Sequence, residues 1–151
     1  MTFYSAIPGT ASTTNSFIST GSVGEMIYQS VTSPSAVSLT SGVARNITSL
    51  TLQPGLWDIN GRVFFRISGV NPISLMAGCL STTSASLTLD QGMVMENLTA
   101  ASPIDYSICL NLPLIRTEVT QNNTAIWYLN CQATCASGGL AFGTIMATRV
   151  R

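Results

Sequence analysis

The chain has 151 residues, enough for one domain with a full hydrophobic core, and carries six basic and six acidic side chains for a formal net charge of zero. Every basic residue is Arg, with no Lys and no His, which excludes a basic nucleic-acid footprint, histidine-dependent catalysis and His-ligated zinc. Ser and Thr supply 38 residues beside 46% apolar ones, so the sequence predicts a surface of hydroxyls rather than charges and a tendency to associate.

Residues 1–21, MTFYSAIPGTASTTNSFISTG, have no hydrophobic period and read as a neck or linker arriving from something upstream, with a head domain over 22–151. No run approaches the ~20 apolar residues of a membrane span, and no basic-then-apolar leader opens the chain, so neither membrane insertion nor export is expected. From Ser22 onward, extended runs alternate with turn clusters. The runs are Val23 to Val31, Ala36 to Leu39, Ala44 to Leu52, Leu56 to Ile67, Ile73 to Ser81, Met93 to Thr99, Asp105 to Ile115, Ala125 to Cys135 and Leu140 to Val150. Ser33-Pro34, Ser41-Gly42, Pro54-Gly55, Gln121 to Asn123 and Gly138-Gly139 are among the separators, each carrying a residue suited to a turn. Nothing sustains a helical period, and about eight to ten short strands punctuated in this way predict a β-sandwich or barrel.

Within LWDINGRVFFRI, Trp57, Ile59, Gly61, Val63, Phe65 and Ile67 share one parity and are assigned to the core. Phe64 lies on the other parity between Arg62 and Arg66, and is open to three readings: a stray surface residue, an interface contact or a ligand platform. Ile47 is out of phase with Leu50 and Leu52, which predicts either a bulge or a covered outer face. Between Ala125 and Cys135 every odd position is apolar, the period-two mark of a strand. The last run breaks that rule, with Leu140, Phe142, Met146 and Val150 on one parity and Ala141, Ile145 and Ala147 on the other. An antiparallel sheet normally leaves one face to water, so a strand apolar on both sides predicts a second body over the outer face and hence an obligate oligomer.

Cys79, Cys109, Cys131 and Cys135 all lie in apolar strand-like runs and are expected to be free buried thiols. Cys131 and Cys135 would stand roughly 13 Å apart along an extended strand, beyond the ~5.5 Å Cα spacing of a disulfide. A four-thiolate metal site would show paired short spacings that this chain lacks. Glycoside cleavage needs two carboxylates ~5 to 9.5 Å apart, whereas Glu25, Asp58, Asp90, Glu96, Asp105 and Glu118 are scattered and form no calcium-type cluster. Ser has no His partner and no GxSxG elbow, so no enzyme activity, catalytic residue, metal or cofactor is expected.

The segments GEMIYQSV, SGVARNITSLTLQPGLWDINGRVFF, GCLSTTSASL and AIWYLNCQAT leading to GTIMATRVR resemble the C-terminal domain of bacteriophage tail fibres and tail spikes. That domain is similar in fold to the trimeric jelly roll of the tumour necrosis factor family and of the complement globular heads. The most specific pieces are LxPGxWDxxG at Leu52 to Gly61 and GTIxAxRVR at Gly143 to Arg151, neither of them a catalytic motif. What the resemblance implies is an all-β, antiparallel two-sheet jelly-roll sandwich of about ten strands, assembled as a homotrimer at the distal part of a virion's tail fibre. Folding in a reducing host cytoplasm would keep its thiols free. Candidates for the trimer interface are Ile126, Tyr128, Phe142 and Ile145. The expected partner is a bacterial surface receptor, a glycan or an outer-membrane protein, bound at three equal sites that add by avidity. Receptor contacts are expected from the connections Ser68 to Ser74, Ser81 to Gly92, Thr99 to Asp105 and Arg116 to Thr124. The named candidates are Arg116, Glu118, Gln121, Asn122, Asn123 and Phe64, although the stretch from Arg116 to Thr124 also reads as an ordinary solvated hairpin loop. The alternatives are a purely structural trimerisation module, a polysaccharide depolymerase and a eukaryotic complement-like head.

Overall fold

Period-two patterning folds into two antiparallel sheets packed face to face. The computed structural model describes residues 21–67, 73–88, 92–97, 106–135 and 139–151. Nine strands are present among them: β1 (Met26–Val31), β2 (Val37–Ser38), β3 (Arg45–Leu52), β4 (Gly55–Ile67), β5 (Ile73–Ser81), β6 (Val94–Asn97), β7 (Tyr106–Val119), β8 (Ala125–Cys135) and β9 (Leu140–Arg149). One sheet has the order β1-β9-β4-β7, with β2 also paired to β9; the other has the order β3-β8-β5-β6. Residues 1–20 of the predicted 1–21 neck lie outside the described residues.

The core is the space between the two inner faces. Trp57, Ile59, Val63 and Phe65 of β4 are fully buried, as their shared parity predicts, and they meet Leu129, Cys131 and Ala133 of β8. The side chain of Ile67 lies outside the described residues. Ile47 is buried at a register shift between Asn46 and Thr48, so of its two readings the bulge is the one observed.

β7 runs four residues beyond the predicted end at Ile115. Arg116 and Glu118 interrupt the apolar run, but they point outward, while Val119 on the inward parity is buried and pairs with Gly55. The outward pair Asp58 and Arg116 extends the ladder with a bidentate ion pair of 2.6 and 2.7 Å. These hydrogen bonds from Arg116 hold the Asp58 carboxyl below its ordinary range.

Three of the signature segments converge at one end of the sandwich. Arg149 of β9 donates from Nε to Glu25 Oε2 at 2.9 Å and from a terminal nitrogen to the Pro54 carbonyl, and its guanidinium lies 4.4 Å from the centre of the Trp57 ring. The Trp57 indole donates in turn to the Gln53 carbonyl at 2.9 Å. Glu25 also accepts from the backbone of Gly21 at 2.8 Å, so the carboxylate ties residues 21–25 to the C-terminal strand. Both charged side chains are nearly inaccessible, and a buried pair of this kind costs about 3–5 kcal/mol to break by removing one partner. Gly55 has φ +145, and a Cβ there would overlap the Arg149 guanidinium and come within 2.9 Å of the Arg151 carbonyl. The Pro-Gly and Trp of the LxPGxWDxxG segment and the Arg of the terminal segment are therefore parts of one clasp.

Candidate functional site

Each sheet has an outer face, and the two differ in what covers them. On the β1-β9-β4-β7 sheet, Phe64 of β4 pairs with Phe142 of β9, and their rings stack at 5.1 Å between centroids and 8° between planes. Beside them the register aligns Tyr28, Met146 and Asn60 across β1, β9 and β4, and Met26 with Thr148 and Asp58. Met26 is 55% exposed, Tyr28 60% and Leu114, at the β7 bulge, 59%. Leu140, Phe142 and Met146 of β9 are half-buried, and the row of Ser30, Thr144 and Arg62 separates the stacked rings from the row of Tyr28 and Met146. Flanking the stacked rings, Arg62 and Arg66 are exposed and form no ion pair among the described residues. Cys109, opposite Phe64 on β7, has its thiol pushed up by burial, with the Arg62 charge opposing.

The outer face of the β3-β8-β5-β6 sheet is partly roofed by its own chain. After β5 the segment 82–88 folds back over the face and is pinned by Asn130, which has no exposed surface despite its outward parity. Its amide oxygen accepts from the Ala85 backbone at 3.0 Å, and its amide nitrogen donates to the carbonyls of Thr83 and Ser86 at 2.8 and 2.9 Å. Cys79 donates to the same Ser86 carbonyl at 3.3 Å, and burial beneath this roof raises its thiol. On the inner side of the sheet, burial pushes Cys131 up to about 12. All four cysteines are free, three of them buried and Cys109 half-buried. No group of three or more His, Cys, Asp or Glu side chains among the described residues could hold a metal.

The four residues proposed for one interface occupy three different surfaces. Phe142 is on the outer face of the β1-β9-β4-β7 sheet, Ile126 and Tyr128 are on the outer face of the opposite sheet, and Ile145 lies in the core with no exposed surface. Both parities of β9 are apolar, and the inward one, with Ala141, Ile145 and Ala147, is spent on the sandwich itself. A single flat contact therefore cannot include all four, and Ile145 is withdrawn from any interface.

The receptor candidates also divide. Arg116 and Glu118 are strand residues on an outer face, paired with Asp58 and Arg151 respectively, while Phe64 sits in the stacked pair. Gln121, Asn122 and Asn123 form the exposed β7-β8 turn, where Asn122 has φ 66 and Asn123 donates to the Thr120 hydroxyl at 2.7 Å. Gly55 pairs with Val119, Leu52 with Ala125 and Trp57 with Arg149, so this turn shares its end of the sandwich with residues 21–25 and with the C-terminus. The connections at 68–72, 89–91 and 98–105 lie outside the described residues.

Two features of these faces escaped the sequence reading. Asn130 stands at an outward position and gives no sign that a loop will bury it. Arg149 lies within the GTIxAxRVR segment, but its partner Glu25 is 124 positions away. No known family matches the chain, and neither the curated proteins nor the solved structures include one similar to it.

Proposed function

We propose that this chain is the homotrimeric, jelly-roll head of a bacteriophage tail fibre, attaching the virion to a bacterial surface receptor. The observation that carries the reading is the outer face of the β1-β9-β4-β7 sheet, where the stacked Phe64 and Phe142 and, beyond the row of Ser30, Thr144 and Arg62, exposed Tyr28 and Met26 place large apolar side chains outside the core. Aromatic and apolar side chains exposed in this way on a chain with zero net charge favour association with copies of itself. The strand orders β1-β9-β4-β7 and β3-β8-β5-β6 support a jelly-roll arrangement, because each sheet alternates early and late strands as Greek-key connections require.

On this reading the interface is drawn around Phe142, Phe64, Tyr28 and Met146, and the end formed by residues 21–25 and the C-terminus faces the fibre. The 120–124 turn would then point toward the shaft, which weighs against Gln121, Asn122 and Asn123 as receptor contacts. Three copies give three equal weak sites that add by avidity. Adsorption of fluorescently labelled protein to a panel of bacterial species tests the attachment role. Binding to at least one species, lost in the Phe142→Asp monomer, supports a receptor-binding head. A trimer that adsorbs to none of them is left as an assembly module.

A further inference from the structure

We propose that the outer face of the β3-β8-β5-β6 sheet around Tyr128 is a binding site for a neutral glycan. The inference rests on the adhesion reading and gives its receptor contact a place on a sheet face. Ser49 of β3 is the direct cross-strand neighbour of Tyr128 and Thr51 that of Ile126 in the next row, while Ser81, across from Tyr128 on β5, is buried and accepts from the Thr83 backbone at 3.0 Å. Tyr128 is half-buried, Thr51 is exposed and Ile126 is 44% exposed, so part of an aromatic ring and an aliphatic side chain lie open beside hydroxyls.

The roof over Asn130 forms a wall on one side of this patch, since Asn130 lies two residues beyond Tyr128 on the same face. Thr82, Thr83 and Ser84 of that wall are exposed. Ala85 holds φ 53, a left-handed conformation unfavourable for Ala, and the bond from its backbone to Asn130 fixes it there. The three hydrogen bonds of Asn130 tie the backbone of the wall to the sheet beside these hydroxyls.

The chemistry of the ligand follows from what the patch contains and lacks. By register, no outward position of β3, β8, β5 or β6 among the described residues carries a charge: Glu96 pairs with inward Met76 and Arg45 with inward Cys131. A sugar ring has an apolar C–H surface to lay against the tyrosine and a rim of hydroxyls that donate to and accept from Ser and Thr. A carboxylated or phosphorylated sugar would find no cation here to pair with.

The test applies the full chain to an array of neutral and acidic bacterial oligosaccharides, with solution mass measured for each variant. Retention on neutral glycans is expected, weakened roughly thirtyfold in Tyr128→Ala, the effect of removing one central aromatic contact. Thr32→Ala, exposed in the β1-β2 connection of the other sheet, is expected to bind as the wild type does. Should Tyr128→Ala fail to fold, Thr51→Arg at an exposed position blocks the same patch and is expected to abolish retention. Retention unchanged in Tyr128→Ala and Thr51→Arg, retention on acidic glycans alone, or none from protein of wild-type mass would each overturn the site. Adsorption to cells that persists in both variants would overturn it while leaving the adhesion reading standing.

Discussion

The two outer faces of this sandwich solve the problem of an exposed sheet in opposite ways. Over the β3-β8-β5-β6 sheet the chain supplies its own cover, with Asn130 making three hydrogen bonds to the 82–88 segment, and the outward positions beyond it mix Ser49, Thr51, Gln132 and Thr134 with exposed Ile126 and Met95. Over the β1-β9-β4-β7 sheet it supplies none within the described residues, and the face carries two stacked phenylalanines, Tyr28, Met26 and Met146. The difference teaches that apolar content alone does not identify an interface. Ile126 is as apolar as Phe142 and 44% exposed, but it stands on the face that carries a self-made roof and has no stacked aromatic partner.

The contrast is broken most directly by placing the same charge on each face. Phe142→Asp is expected to abolish assembly and reduce the measured mass threefold, because a carboxylate would be buried at every copy of the contact. Tyr128→Asp is expected to leave the assembly intact. Loss of assembly in both variants, or in neither, would erase the distinction between the faces.

The clasp at the shared end should affect both faces alike. Arg149→Met leaves Glu25 buried without its cation and the Pro54 carbonyl without its donor, and is expected to lower stability by about 3–5 kcal/mol in a denaturant titration. Asn130→Ala should act on one face only, at about 2–3 kcal/mol, since it strands the Ala85 amide and two carbonyls. The accompanying readout is faster proteolysis within 82–88, with unchanged oligomeric mass.

Smaller effects follow from titration. The Cys131 thiol is raised to about 12 in the fold, so the native state holds its proton where the unfolded chain releases it. Stability from this group is present below the unfolded thiol range near 9 and is lost as pH rises from there toward 12. A denaturant midpoint that rises across that window would contradict this assignment. At pH 8 native alkylation is expected at half-buried Cys109 before any of the three buried thiols. The Asp58 carboxyl is held low by Arg116, so its contribution is present above the ordinary carboxylate range and is lost as pH falls through the depressed value. That change is expected to be the smallest, since the pair lies on the surface.

Much of the strand arrangement is legible in the sequence because the inner parity of β4 and β8 is apolar without interruption. The Ile73–Ser81 and Ala125–Cys135 strands have the predicted bounds. Legibility fails where the outward residues are polar, as at the end of β7, and where both parities are apolar, as in β9. Nothing in β9 alone says that Ile145 fills the core while Phe142 faces outward; only the pairing of Val63 with Gly143 and Phe64 with Phe142 fixes that choice. A Cβ on Gly143 would overlap the Arg62 carbonyl, so the glycine in the terminal segment serves the close approach of β9 to β4. The clasp and the Asn130 roof were illegible for a further reason, since each joins segments far apart in the chain through side chains whose local context is ordinary.

The central claim is that the bare face is completed by further copies of the same chain. The most direct measurement is the mass of the purified wild-type protein by light scattering coupled to size exclusion. A single species of about three times 15.9 kDa, stable on dilution, is the predicted result. A well-folded species of 15.9 kDa would contradict the account, because the Phe64 and Phe142 face would then stand in water with nothing over it.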